Sequence, residues 1–202
     1  MSTPLVQELL AQHPLEWAGA LTGLLCVGLT VRAHVACWPV GIVSSAAYAW
    51  FFYAHLKLYS DALLQLFFIG SSLLGWWQWK QGGRGRTELP ITWLDARGRI
   101  AALVSTAAAA GAVGWVFARF TDASLPWLDA TTSGMSVTAQ LLLVRKKVES
   151  WALWILVDVL SISMYLAKQA RLTALLYGVF LVLATRGLLS WKRSLPPASA
   201  TG

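Results

Sequence analysis

The stretch Arg145-Lys-Lys-Val-Glu149-Ser-Trp151-Ala-Leu-Trp154-Ile-Leu-Val-Asp158 holds the densest concentration of chemically useful side chains in this chain. Trp151, Trp154 and Asp158 are spaced i, i+3, i+7, so a helix would set two indoles and a carboxylate on one face. The neighbouring residues are apolar, and an acid inside such a span is costly unless it faces a bundle interior or water. That face suits a flat cationic guest, through stacking, cation–π attraction and a counter-ion. The plainer alternative has Trp151 anchoring at a membrane interface, Trp154 packing, and Asp158 hydrogen-bonding a neighbouring helix.

Two further polar stripes share helical spacing. Ser133, Ser136 and Gln140 fall at i, i+3, i+7, and Gln65, Ser72 and Trp76 at i, i+7, i+11. Such groups could hold sugar hydroxyls and an amide, or could bond helix to helix. The candidate substrate path is therefore lined by Gln65, Trp76, Gln140, Trp151, Trp154 and Asp158. No catalytic residue, metal site or resident cofactor is expected. His13, His34 and His55 stand near span ends with no second histidine at i+4 and read as interfacial loop residues. Cys26 and Cys37 read as packing thiols, and Asp129 as a solvated acid. A retinal pigment is excluded because residues 172–191 hold no lysine for a Schiff base.

The elements that must position these residues are set by composition. Of 202 residues, 57% are hydrophobic and only 12% charged, which places the chain in a bilayer. Its net charge of +7 lies in short loops between apolar spans rather than on one face, which argues against a nucleic-acid partner. Spans long enough to cross the hydrocarbon are expected near residues 15–31, 36–54, 61–79, 100–118, 126–144, 151–167 and 172–191. An external N-terminus leaves Lys57, Arg119, Lys168 and Arg171 outside. The other twelve basic residues, Arg32, Lys80 and Arg145 to Lys147 among them, then face the cytoplasm, so N-out, C-in is expected. The start of the chain, Met1-Ser-Thr-Pro-Leu, lacks a positive segment before its apolar stretch, so no cleavable signal is expected.

The outer groups of three spans echo each other. Tyr53, Ala62, Leu63, Leu64, Gly75, Trp79 and Lys80 recur 112 positions later as Tyr165, Ala174, Leu175, Leu176, Gly187, Trp191 and Lys192. In each Gly-x-x-x-Trp the glycine is expected to allow close helix approach and the tryptophan to anchor at the interface. The expected fold is all-α and polytopic, with two parallel three-helix bundles joined by a linker helix. Residues 1–79 form the first bundle, 80–125 a cytoplasmic loop and linker helix, 126–193 the second bundle and 194–202 a tail. The Gly- and Arg-rich stretch from Lys80 to Pro90 reads as a flexible linker, and the Ala-rich fourth span as a spacer away from any polar path.

Several spaced motifs resemble one family. Trp38-Pro39-x-Gly41-Ile42, Tyr48, Phe52-Tyr53, Leu58-Tyr59-Ser-Asp61-Ala-Leu-Leu-Gln65 and Gly75-Trp76-Trp77-Gln-Trp79 are similar to the second and third helices of the Pnu family of bacterial vitamin transporters. Lys146, Glu149, Trp151, Trp154 and Asp158 resemble its sixth helix, although Ser150 stands where some members carry asparagine. The resemblance covers nearly all of residues 15–193. It implies a fold related to the SWEET sugar transporters and an inner-membrane location. It further implies facilitated diffusion of nicotinamide riboside, or of thiamine or riboflavin, with trapping by a cytoplasmic vitamin kinase, and assembly as a homotrimer. A non-transporting membrane scaffold is the alternative of another class. The spans offer no central Lys or Arg to balance a phosphate, so a phosphorylated mononucleotide is not expected as substrate.

Overall fold

The computed structural model describes residues 13–57, 59–120, 126–167 and 169–195. Residues 1–5, Lys168 and the tail from 196 onward therefore lie outside the described residues. The described chain is all-helical, with seven long helices: α1 Pro14–Val31, α2 Cys37–Phe51, α3 Tyr59–Gln81, α4 Ala96–Phe120, α5 Pro126–Val144, α6 Glu149–Ala167 and α7 Arg171–Arg193. The seven expected spans fall on these helices. By length and composition alone, α1, α6 and α7 are apolar enough to cross a membrane. Helix α2 is as apolar but only 15 residues long, and α3, α4 and α5 carry more small and polar residues, as helices packed on other helices can.

Helix α1 starts where its sequence directs. His13 Nδ1 accepts the Leu15 N–H at 3.2 Å, Glu16 returns a bond to the His13 N–H at 3.1 Å, and Pro14 occupies the first turn. The His13 ring also packs on His55, with centroids 4.3 Å apart, so two of the expected loop histidines join two helix ends.

The turns after α1 and α5 share one backbone design. The N–H groups of Arg32, Ala33 and His34 bond to the carbonyls of Leu29, Thr30 and Leu29, and those of Arg145, Lys146 and Lys147 bond to Leu142, Leu143 and Leu142. Ala33 and Lys146, 113 positions apart, both adopt left-handed backbone, with φ of 51° and 49°. At the next junctions Lys57 and Gln169 match again, at φ 55° and 60°, but 112 positions apart. One extra residue therefore lies between Trp38 and Lys57. The π-helical turn Phe52–Leu56, closed by the Lys57 N–H on the Phe52 carbonyl, absorbs it, whereas α6 is α-helical throughout.

Six helices close a ring: α1 packs on α2, α2 on α3, α3 on α5, α5 on α6, α6 on α7, and α7 on α1. Helix α4 packs along α5, outside the ring, and reaches α6 through the Arg99–Glu149 ion pair. The ends of α1, α3, α5 and α7 meet at one pole, called here the basic end because Arg32, Lys80 and Arg145 to Lys147 lie there.

The core at that end is made of four tryptophans. Trp79 and Trp191 are each only 1% exposed, so they are core struts and not the interfacial anchors expected. The reason is in their N–H groups: Trp79 Nε1 donates to the Leu143 carbonyl at 3.1 Å, and Trp191 Nε1 to the Thr30 carbonyl at 3.2 Å. Helix α3 thus bonds to the end of α5, and α7 to the end of α1. Gly75 and Gly187 make room for Trp38 and Trp151, whose indoles occupy the space where a Cβ would stand. Trp38 meets Trp79 edge-on, Trp151 meets Trp191 edge-on, and Trp79 and Trp191 approach to 5.8 Å between centroids.

The stretch after α3 is pinned rather than loose, against the expectation of a flexible linker. The Leu89 N–H bonds to the Trp79 carbonyl, and Thr92 pairs with Lys147 as an isolated bridge. Both Glu149 carboxylate oxygens accept the Leu94 N–H at 3.0 Å, and one also takes Arg99 Nε at 2.9 Å. A segment rich in Gly and Arg can still order when a carboxylate and two carbonyls collect its donors.

Candidate functional site

A cavity of about 710 Å³ fills the ring interior. It runs from Glu16 and Leu172, at the end opposite the basic one, to Thr30, Leu143 and Trp151 against the tryptophan core. All six ring helices line it, and α4 contributes nothing.

Five of the six expected site residues reach this cavity: Gln65, Gln140, Trp151, Trp154 and Asp158. Trp76 does not. It is 37% exposed on α3, with Lys80 Nζ 6.0 Å from its ring. Its helical phase is close to that of Gln65, but at its depth the interior is already filled by Trp38, Trp79 and Trp191.

Helix α6 supplies the chemistry. Asp158 is 4% exposed and faces the cavity with no hydrogen bond or ion pair among the described residues. One turn towards the basic end, Trp154 lies with its ring 6.5 Å from that of Phe68, which lines the α3 wall. Trp151 closes the floor, and its Nε1 finds no partner among the described residues. Tyr165 and Tyr177 stack at 5.3 Å and form the α6–α7 side of the wall.

The polar stripes divide between binding and structure. Gln140 Nε2 donates to Ser71 Oγ at 3.2 Å, tying α5 to α3 and leaving its carbonyl oxygen for a guest. Ser136 Oγ bonds to its own helix at Thr132, and Ser44 Oγ ties α2 to the Gly19 carbonyl at 2.8 Å. Gln65 and Ser72 line the α3 wall. Ser133 is not among the lining residues.

Sequence reasoning missed the α1–α2 wall: Gly19, Gly23, Gly41, Ser45, Tyr48 and Phe52. Gly41, Ser45 and Tyr48 of α2 and Phe52 of the π turn run i, i+4, i+7, i+11, a face that helical periodicity also marks. The wall is the plain counterpart of α6. At the 113-residue offset of the matched turns, Gly41 and Ser45 correspond to Trp154 and Asp158, so a near-symmetric ring holds a one-sided site.

Charge in the cavity has one sign. Its lining includes Glu16 and Asp158 but no Lys or Arg. A buried ammonium stands just beyond it, where Lys146, 5% exposed, places Nζ 4.6 Å from the Trp79 ring centre. Burial holds that amine below the ordinary lysine pKa, with Glu88 and Cys37 pulling the other way. Cys26 borders the cavity and donates its thiol to the Cys37 carbonyl at 3.1 Å. Both thiols are free.

Known proteins resemble this chain along nearly all of its length. A family model described as nicotinamide mononucleotide transporter matches residues 13–193. The nicotinamide riboside transporter PnuC of Escherichia coli strain K12 is 25% identical over 205 residues, covering 89% of this chain and 85% of that protein. The same-named transporter of Neisseria mucosa is 27% identical, covering 90% and 74%. The riboflavin/roseoflavin transporter RibM of Streptomyces davaonensis is 28% identical, covering 87% and 83%. A crystal structure of the vitamin B3 transporter PnuC shares the fold, with a TM-score of 0.73 at 24% identity over 94% of this chain and 85% of that one.

Proposed function

The chain belongs to the nicotinamide mononucleotide transporter family, a family of membrane transporters and not of enzymes, and from that premise we propose that it imports nicotinamide riboside. The observation that carries the reading is Asp158: a buried carboxylate facing the cavity without a counter-ion, one turn from Trp154. A guest with a fixed positive aromatic ring supplies the missing charge and stacks on the indole. Gln65, Gln140 and Ser72 are left to meet ribose hydroxyls and a carboxamide. A phosphorylated mononucleotide fits badly, because no Lys or Arg lines the cavity to balance a phosphate.

The architecture in this reading is three plus one plus three, SWEET-like, with α1 to α3 and α5 to α7 as parallel units and α4 as the extra crossing that returns the chain. The matched turns, the reciprocal tryptophan bonds and the place of α4 outside the ring support it. The basic end is cytoplasmic, which puts the N-terminus outside, as the distribution of lysine and arginine favours. Transport is facilitated diffusion, and phosphorylation by a cytoplasmic kinase keeps the gradient inward. The working assembly is taken as a homotrimer, on family resemblance.

A second substrate is favoured by one finding, the likeness to a riboflavin/roseoflavin transporter; thiamine shares the cationic ring. Labelled uptake of nicotinamide riboside, thiamine and riboflavin by cells lacking their own carriers separates the three. Nicotinamide riboside is expected to enter fastest. Purified protein that binds none of them in calorimetry would leave the scaffold alternative standing.

A further inference from the structure

We infer that Lys146 is a latch on the basic-end closure of the cavity, tying the α5–α6 turn to α3 through the Trp79 ring and setting how often the two sets of helices part there. This rests on the transport reading only in supposing that the cavity must open at that end. Of the two indole hydrogen bonds and one cation–π contact across the closure, the two hydrogen bonds are duplicated: Trp79 bonds to Leu143 and Trp191 to Thr30, at nearly equal lengths of 3.1 and 3.2 Å. The cation–π contact is not. Lys146 covers Trp79, whereas the matching turn places Ala33, in the same left-handed backbone, opposite Trp191, and no cation lies over Trp191 among the described residues. The chain itself thus contains the variant without the cation.

Chemistry explains what such a tie would do. A buried ammonium held by an indole face rather than by a carboxylate is bound strongly enough to bias a closure and weakly enough to release. Its carrier is the turn immediately before α6, the helix of Trp151, Trp154 and Asp158, so its release is coupled to the site wall.

The cavity provides its own reporter, because Cys26 lines it next to the core and Cys37 is the other of two cysteines. In a Cys37→Ala background, inverted membrane vesicles expose the basic end to a membrane-impermeant maleimide. Lys146→Ala is expected to label Cys26 about threefold to tenfold faster than the parent, as loss of a desolvated cation–π contact allows. Lys146→Met should behave likewise, and Lys146→Arg should keep the parent rate. Equal or slower labelling in both neutral variants would overturn the latch. Failure of the parent to take up any vitamin would sink the transport reading, and the labelling comparison would still decide the latch.

An independent observation carries a second inference. Between α1 and α7, on the outer surface of the ring, lies a crevice of about 290 Å³ whose wall includes Leu25, Gly28, Leu29 and Leu183 and which ends at Arg32 and Arg186. Both arginines are exposed and neither has an acidic partner among the described residues. A Cβ at Gly28 would meet nothing within 4 Å, so the glycine deepens the crevice without serving helix contact. An apolar slot ended by two guanidiniums matches an acyl chain and its phosphate, and we propose that one anionic phospholipid occupies it.

Native mass spectrometry of the full chain from mixed phosphatidylglycerol and phosphatidylcholine vesicles tests this. The parent should retain one phosphatidylglycerol, the Arg32→Gln/Arg186→Gln double variant should lose it, and Gly28→Leu should lose it with both charges intact. Equal retention of the two lipids by the parent, or undiminished retention by the double variant, would refute the site.

Discussion

Asp158 sits in the cavity wall, 4% exposed, with no hydrogen bond or ion pair among the described residues, and in the proposed reading a cationic guest supplies the counter-ion that its ionised form lacks. If a cationic ring does so, Asp158→Asn should weaken binding of nicotinamide riboside more than of its neutral reduced form, because only the first loses a counter-ion. Equal weakening in a calorimetric titration, with folding unchanged, would give Asp158 a structural role. Trp154→Ala should cost about 1–3 kcal/mol of binding and Trp154→Phe less, by analogy with base–aromatic stacking. The sequence showed this cluster because helical spacing alone puts Trp151, Trp154 and Asp158 on one face. It misplaced Trp76 because spacing encodes phase but not depth, and at that depth the four-tryptophan core has ended the cavity. Trp79 and Trp191 were misread for a related reason: composition cannot tell a tryptophan at an interface from one whose N–H has found a buried carbonyl.

Helices were the most legible elements, since long apolar runs in a chain with 12% charged residues leave little else to form. The π turn at Phe52–Leu56 was not legible, because it changes the hydrogen-bond register without changing composition. It surfaces only as the shift from 113 to 112 positions between matched left-handed residues. Close helix approach is testable within α3. Gly75→Ala would drive a Cβ into the Trp38 indole and should cost roughly 1–3 kcal/mol of stability, whereas Gly70→Ala meets nothing within 4 Å and should cost nothing. Equal thermal unfolding of the two variants in detergent would contradict the packing described. The pinned segment after α3 gives a second test: Glu149→Ala removes the acceptor for Leu94 and Arg99, worth about 1–3 kcal/mol. Trypsin should then cut at Arg84 and Arg86 faster, and an unchanged cleavage rate would show that the carboxylate does not hold the segment.

At the scale of the whole molecule, a nearly symmetric ring encloses an asymmetric site: α6 brings indoles and an acid where α2 brings Gly41 and Ser45. In the proposed reading such a ring opens at either end by small movements of one set of helices against the other, with the guest held on α6. If the basic end is cytoplasmic, as proposed, a reporter fused after Gly202 should be cytoplasmic; an active periplasmic phosphatase at that position would reverse the topology. The most direct measurement is equilibration in proteoliposomes of the purified full chain, with labelled nicotinamide riboside outside and no proton or sodium gradient. Saturable entry that stops when the internal concentration equals the external one is expected. Entry no faster than in protein-free liposomes, or accumulation beyond equality that a collapsed gradient abolishes, would contradict facilitated diffusion of this vitamin.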